Sequence, residues 1–86
     1  MSSRALTSAQ IRAARSLIRW SAEDLAHESS LSVATIRRAE LADGETSMTA
    51  ANNHAVRRAL EAAGVEFIDA NGGGPGVRLR DNKPET

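Results

Sequence analysis

The chain has 86 residues, 41% of them hydrophobic, with 11 basic and 11 acidic side chains and so no formal net charge. That is enough for one small domain with an economical core, and the lack of cysteine excludes disulfides and thiolate metal sites. No apolar run approaches the ~18 residues of a membrane span and the opening MSSRALTSAQ lacks the apolar stretch of a signal peptide, so a cytoplasmic location is expected.

Residues 1–6 read as a flexible N-terminus. Thr7 or Ser8 starts a first helix that runs to about Arg19. Ile11, Ala14, Leu17 and Ile18 recur on one face; Arg12, Ser16 and Arg19 lie opposite, with Arg15 at the border. Ser21 is a good N-cap, with Asp24 three residues on, for a second helix from Ala22 to about Ser29 that buries Ala22, Leu25 and Ala26. Ser29-Ser30-Leu31 makes a turn and Ser32 caps a third helix from Val33 to about Leu41. Its Ile36 and Ala39 point inward with Glu40 near them. Ala34, Arg37 and Arg38 point away, Val33 lies at the edge, and Asp43-Gly44 ends the element.

Glu45 to Thr49 is expected to be a loop. A fourth helix covers about Ala50 to Ala63. Ala51, Ala55, Val56, Ala59, Leu60 and Ala63 form its apolar face, Asn52 is a misfit on it, and Gly64 is the stop. The pattern then switches to alternation. Val65–Asp69 and Val77–Arg80 read as two strands joined by Asn71-Gly72-Gly73-Gly74-Pro75-Gly76, and residues 81–86 as a disordered tail. The expected fold is mainly α: four helices holding a helix-turn-helix over 7–64, then a C-terminal two-stranded β-hairpin over 65–80.

Two short helices around a tight turn, the second with a small-residue start and paired arginines outside, suit a helix laid in the DNA major groove. Ser32, Val33, Ala34, Thr35, Arg37 and Arg38 are the candidate base-reading residues. Val33, Ala34 and the Thr35 methyl match thymine methyl groups, and Arg37 or Arg38 matches guanine O6 and N7. Backbone contacts are expected from Ser21, Ala22, Arg12, Arg19, Thr46, Ser47 and Asn52. Ten of the eleven basic residues are arginine, whose planar fork suits phosphates and guanine edges; a GC-rich genome gives the same bias. His27 and His54 stand alone, without ligands at metal spacing. No nucleophile has an organised base, and Gly72–Gly76 lacks the Lys-Ser/Thr of a P-loop. No enzyme activity, metal or cofactor is expected.

Trp20-Ser21, Asp24-Leu25-Ala26, Leu31-Ser32, Thr35-Ile36-Arg37-Arg38 and Glu40 resemble the Xre-type (phage repressor and Cro-like) helix-turn-helix regulators. The similarity covers Thr7 to about Ala63, and the ending VEFIDANGGGPGVRLR is similar to that of small bacterial regulators of the same group. The resemblance places Ala26, Ser30 and Ile36 on the small-residue, turn-glycine and buried-aliphatic positions. It places Val33, Ala34, Arg37 and Arg38 on the base-reading positions, and Arg15 with Glu40 on an ion pair between the first and third helices, which their border positions also allow. Two departures stand out. Ser30 replaces the turn glycine, at a cost on the order of 1 kcal/mol in a left-handed conformation, and Ala22 lacks a phosphate-touching glutamine. The implied function is a transcriptional regulator, in the simplest form a repressor, at the bacterial nucleoid. A homodimer is expected through the open edges of the hairpin, involving Val65, Phe67, Ile68, Val77 and Leu79, with Phe67 and Leu79 covering the helices. The alternative is a protein-interaction module, such as an antitoxin or anti-regulator, which the zero net charge and the missing glutamine at Ala22 keep open.

Overall fold

The computed structural model describes residues 5–70 and 72–80. Helices α1 (Ser8–Ile18), α2 (Ala22–Ser29), α3 (Val33–Leu41) and α4 (Ala50–Ala62) precede an antiparallel hairpin of β1 (Val65–Ile68) and β2 (Gly76–Leu79). The mainly helical fold with a C-terminal hairpin is the one expected. The expectations for residues 1–4, for Asn71 and for the tail 81–86 lie outside the described residues.

All four helices begin alike. Thr7, Ser21, Ser32 and Thr49 are extended N-caps, each accepting the backbone N–H three residues on; Thr7–Gln10 and Ser21–Asp24 close full capping boxes. Before each cap stands an apolar residue, and four residues after it a buried one. The pairs are Leu6 and Ile11, Trp20 and Leu25, Leu31 and Ile36, and Met48 and Asn53. In the first three pairs apolar residues occupy the two positions of a hydrophobic staple, which sets the chain's entry angle. The first two helices also end alike. Arg19 (φ 60°) and Ser30 (φ 61°) take the left-handed conformation, and the next residue's N–H reaches back to Arg15 O and Ala26 O. The α1–α2 and α2–α3 connections are thus one device used twice: a left-handed residue, a half-buried apolar residue, and a serine cap.

The core joins Leu6, Ile11, Ala14, Leu25, Ala26, Ile36, Ala39, Val56, Leu60 and Val65. Three details differ from the sequence reading. Leu6 is not flexible: it is 1% exposed. Its N–H donates to Asn53 Oδ1 at 3.0 Å, and its carbonyl accepts the Thr46 N–H. With Ser8 N–H on Gly44 O and a Thr7–Glu45 bridge, residues 6–8 clasp the loop after α3. Leu17 is 39% exposed; Ser8, which donates to the Ala39 carbonyl, and Gln10 are buried on α1 instead. On α4 the buried line is Asn53, Val56 and Leu60, while Ala51 is exposed and Asn52 only half-buried. The misfit is Asn53, and it belongs inside because it receives a buried backbone donor.

Arg15 ties α1 to α3. Its Nε and Nη2 meet the two Glu40 carboxylate oxygens at 2.6 and 2.9 Å, and Nη1 donates to the Trp20 carbonyl at 2.8 Å. The side chains keep 22% and 10% of their surface exposed. The carboxylate raises the Arg15 pKa further, against the opposing effect of burial.

The hairpin register pairs Val65 with Leu79, Glu66 with Arg78, Phe67 with Val77 and Ile68 with Gly76. Gln10 Nε2 anchors its loop end by donating to Gly76 O at 3.1 Å. Val65 is fully buried and Phe67 half-buried under the Arg57 guanidinium, 5.0 Å from the ring centre. Leu79, expected to cover the helices, is 52% exposed, and Ile68 is 36% exposed. No helix among the described residues is long and apolar enough to cross a membrane, and no three described His, Asp or Glu cluster in a way that would hold a metal.

Three measurements test this packing. Asn53→Ala leaves the buried Leu6 N–H without its acceptor and is expected to destabilise the domain by about 1–3 kcal/mol, read by urea unfolding of the single Trp20. Glu40→Gln leaves Arg15 charged and shielded. It is expected to cost about 2–3 kcal/mol, short of the ~3–5 kcal/mol of a wholly buried pair; an unchanged midpoint would contradict the tie. The hydrogen bond and charge of Arg78 hold the Glu66 carboxyl below the usual carboxylate range. A carboxylate with a lowered folded pKa stabilises above its unfolded pKa, and that contribution fades as pH falls through the folded one. By NMR titration Glu66 is therefore expected to inflect at lower pH than a free glutamate, and Arg78→Ala is expected to return it to the ordinary range.

Candidate nucleic-acid interface

The outer face of α3 follows from its inner one. Ile36 and Ala39 are buried, so residues 34, 37, 38 and 41 fall together on the opposite side at helical spacing. All four are exposed. Ser32 is exposed as well, but its hydroxyl is engaged: it accepts the Thr35 N–H at 3.1 Å and lies 2.9 Å from the Thr35 hydroxyl. Thr35 is half-buried. Val33 is half-buried against the core, so only part of it faces outward.

The two arginines differ. Arg37 Nη2 donates to Glu23 Oε2 at 2.6 Å, across the angle between α2 and α3, with both side chains more than half exposed. Such an exposed pair contributes under about 1 kcal/mol, but it spends a carboxylate next to the candidate surface. Arg38 has no ion-pair or hydrogen-bond partner among the described residues. It lines a shallow groove with Thr35, Ala39, Ser47, Met48, Thr49 and Asn52, between α3 and the first turn of α4. None of these is acidic, and neither α3 nor α4 has an acidic residue in its first turn. In a chain with no net charge, this groove carries one sign only. Its hydroxyls, its guanidinium and the partly unpaired N–H groups of the α4 start are the equipment that binds a phosphate oxygen.

The expected backbone contacts divide. Ser47 and Asn52 lie in the Arg38 groove. Thr46 does not: it is 9% exposed, with its N–H on Leu6 O and its hydroxyl accepting the Met48 N–H. Ala22 is likewise 9% exposed, too shielded for a phosphate contact through its side chain. Ser21 is exposed, but its N–H and hydroxyl are both taken by Asp24. Glu23 and Asp24 sit in the first turn of α2 and oppose an anion there. Arg12 donates to the Glu40 carbonyl at 2.6 Å, satisfying an end of α3 rather than projecting free. Arg19 is exposed at the C-cap of α1.

The sequence reading missed two features. Glu23 gives no sequence signal, because its place opposite Arg37 depends on the angle between α2 and α3. Leu41, 83% exposed at the end of the α3 outer face, gives no sequence signal, because a lone leucine in a helix reads as core. His27 and His54 are exposed.

A scan against protein-family models gave no match for this chain, and a search of curated proteins found no relative.

Proposed function

We propose that the protein is a sequence-specific DNA-binding regulator that lays α3 in the major groove. The observation that carries this reading is Arg38: an unpaired guanidinium on the outer face of α3, in a groove free of carboxylates and shared with the first turn of α4. Arg38 is assigned to a guanine edge, Ala34 and Thr35 to close approach at the start of the helix, and Ser47, Thr49 and Asn52 to the adjoining phosphates. The left-handed Ser30 supports the reading, because it supplies the sharp α2–α3 turn such a motif needs. Ala22, Thr46 and Arg12 are left out of the interface. The resemblance to Xre-type regulators agrees with this role, and repression by occlusion of a promoter is its simplest form. Two copies on a near-palindromic site would meet half-sites about one DNA turn apart.

A second reading keeps a specific support. Glu23 neutralises Arg37, Glu23 and Asp24 crowd the start of α2, and Leu41 adds an apolar side chain to the same face. A mixed surface of this kind also suits a protein partner, as in an antitoxin or anti-regulator.

Salt separates the two. Phosphate contacts release counterions, so DNA affinity falls steeply as salt rises, whereas docking to a protein through Leu41 falls little. On duplexes selected from random DNA, Arg38→Ala is expected to cost about 1–3 kcal/mol and to relax the preference at one base position; Arg12→Ala is expected to change little. Fluorescence anisotropy across a salt series reads both, and an Arg38→Ala protein with unaltered preference would place the reading surface elsewhere.

A further inference from the structure

The outer edge of β2 has backbone groups unpartnered among the described residues. The Arg80 N–H donates to Gly64 O at 2.7 Å, and bonded and unbonded pairs alternate along an antiparallel ladder. By that alternation Glu66 and Arg78 bond to each other through the backbone. Val77 and Leu79, paired with Phe67 and Val65, turn their N–H and C=O groups away from β1. Among the described residues those groups have no further hydrogen-bond partner. Helix α1 packs against both strands and α4 against β1; Val65 has no exposed surface, and Arg57 covers Phe67. Leu79, on β2, is 52% exposed.

We infer that β2 pairs antiparallel with β2 of a second copy, about a twofold axis through Arg78. This deepens the dimer suggested above and does not depend on DNA. In this register Val77 of each copy opposes Leu79 of the other, and their outward N–H and C=O groups bond in both directions. The inner apolar face then runs Val65, Leu79, the second copy's Val77 and the second copy's Phe67, which covers Leu79. Arg80 opposes the second copy's Gly76, where there is no side chain to meet.

The axis brings Arg78 against its own copy. Like charges directly opposite destabilise a sheet, but each Arg78 already donates to Glu66 at 2.9 Å. The row across four strands is Glu66, Arg78, Arg78, Glu66, with no net charge. The neighbouring registers fit less well. An axis through Leu79 sets Arg78 against Arg80 twice, and only Arg78 has a carboxylate partner. An axis through Val77 sets Leu79 opposite Pro75, beyond the strand and without an N–H to give.

Because the chain has no cysteine, single cysteines report the register. Opposed unbonded residues lie ~4.5 Å apart between Cα atoms, within the ~4.4–6.8 Å reach of a disulfide. Residue 79 and its copy would lie roughly 8 Å apart. The experiment uses the full chain without DNA. Sedimentation equilibrium is expected to give twice the single-chain mass for the native protein and one chain for Leu79→Lys, with unchanged helical circular dichroism. Under mild oxidation Arg78→Cys is expected to form covalent dimer, with Leu79→Cys and Glu66→Cys forming roughly tenfold less. A monomeric native protein, a dimeric Leu79→Lys, or crosslinking no better at 78 than at 66 or 79 would overturn the pairing. None of those results bears on Arg38, whose role is read separately by anisotropy on a half-site duplex.

Discussion

All three nitrogens of the Arg15 guanidinium are committed. Two face the Glu40 carboxylate and the third holds the Trp20 carbonyl, so one planar group fixes α1, the far end of α3 and the chain's exit from α1 together. A lysine would lack the fork that makes this possible. Because the charges are shielded, the geometry is favourable only when both partners are present. The orientation of α3 is therefore set from behind, on the side away from its exposed arginines. Arg12, donating to the carbonyl of the same Glu40, adds a second strap from α1.

Around that tie the domain repeats one piece of local chemistry. An apolar residue, a hydroxyl cap and a buried residue four positions later open all four helices. Two left-handed residues close the first two. Neither is glycine, so each costs on the order of 1 kcal/mol. The turn geometry is held by what flanks it, Trp20 or Leu31 packed against the core and a serine beginning the next helix. Backbone strain is carried where α3 must leave α2 at a defined angle.

Much of the fold was legible because caps and periodicity are local. Ser21, Ser32 and Gly64 mark their boundaries by type and position, and Ile36 with Ala39 orients α3 without ambiguity. The phase of α4 was legible only in part. Val56 and Leu60 were placed on the buried face, but alanine contributes little contrast between the faces of a helix, so exposed Ala51 was placed beside them and buried Asn53 was not. Leu6 was missed because one apolar residue ahead of a cap has no period; the Thr7–Gln10 spacing with Ile11 beyond it was the usable signal. At the candidate interface the exposure of Arg37 and Arg38 was legible and their difference was not. The Glu23–Arg37 pair joins residues of two helices whose relative angle no single-helix pattern contains. The hairpin pairing was legible in outline, but how α1 and α4 pack against its strands was not.

The clasp of residues 6–8 has a consequence for how the domain comes into being. Leu6 and Asn53 are 47 residues apart, so the earliest core position waits for one of the last helices. The contacts between α2 and α3 are short-range, but those of α2 with α4 and of Leu6 with Asn53 are not, and closing a long loop must precede the gain from distant contacts. As the nascent chain leaves the ribosome, the Leu6 N–H has no acceptor until α4 arrives. The domain is thus closed by a contact between its first buried residue and its fourth helix, and not by the short turns that join its first three.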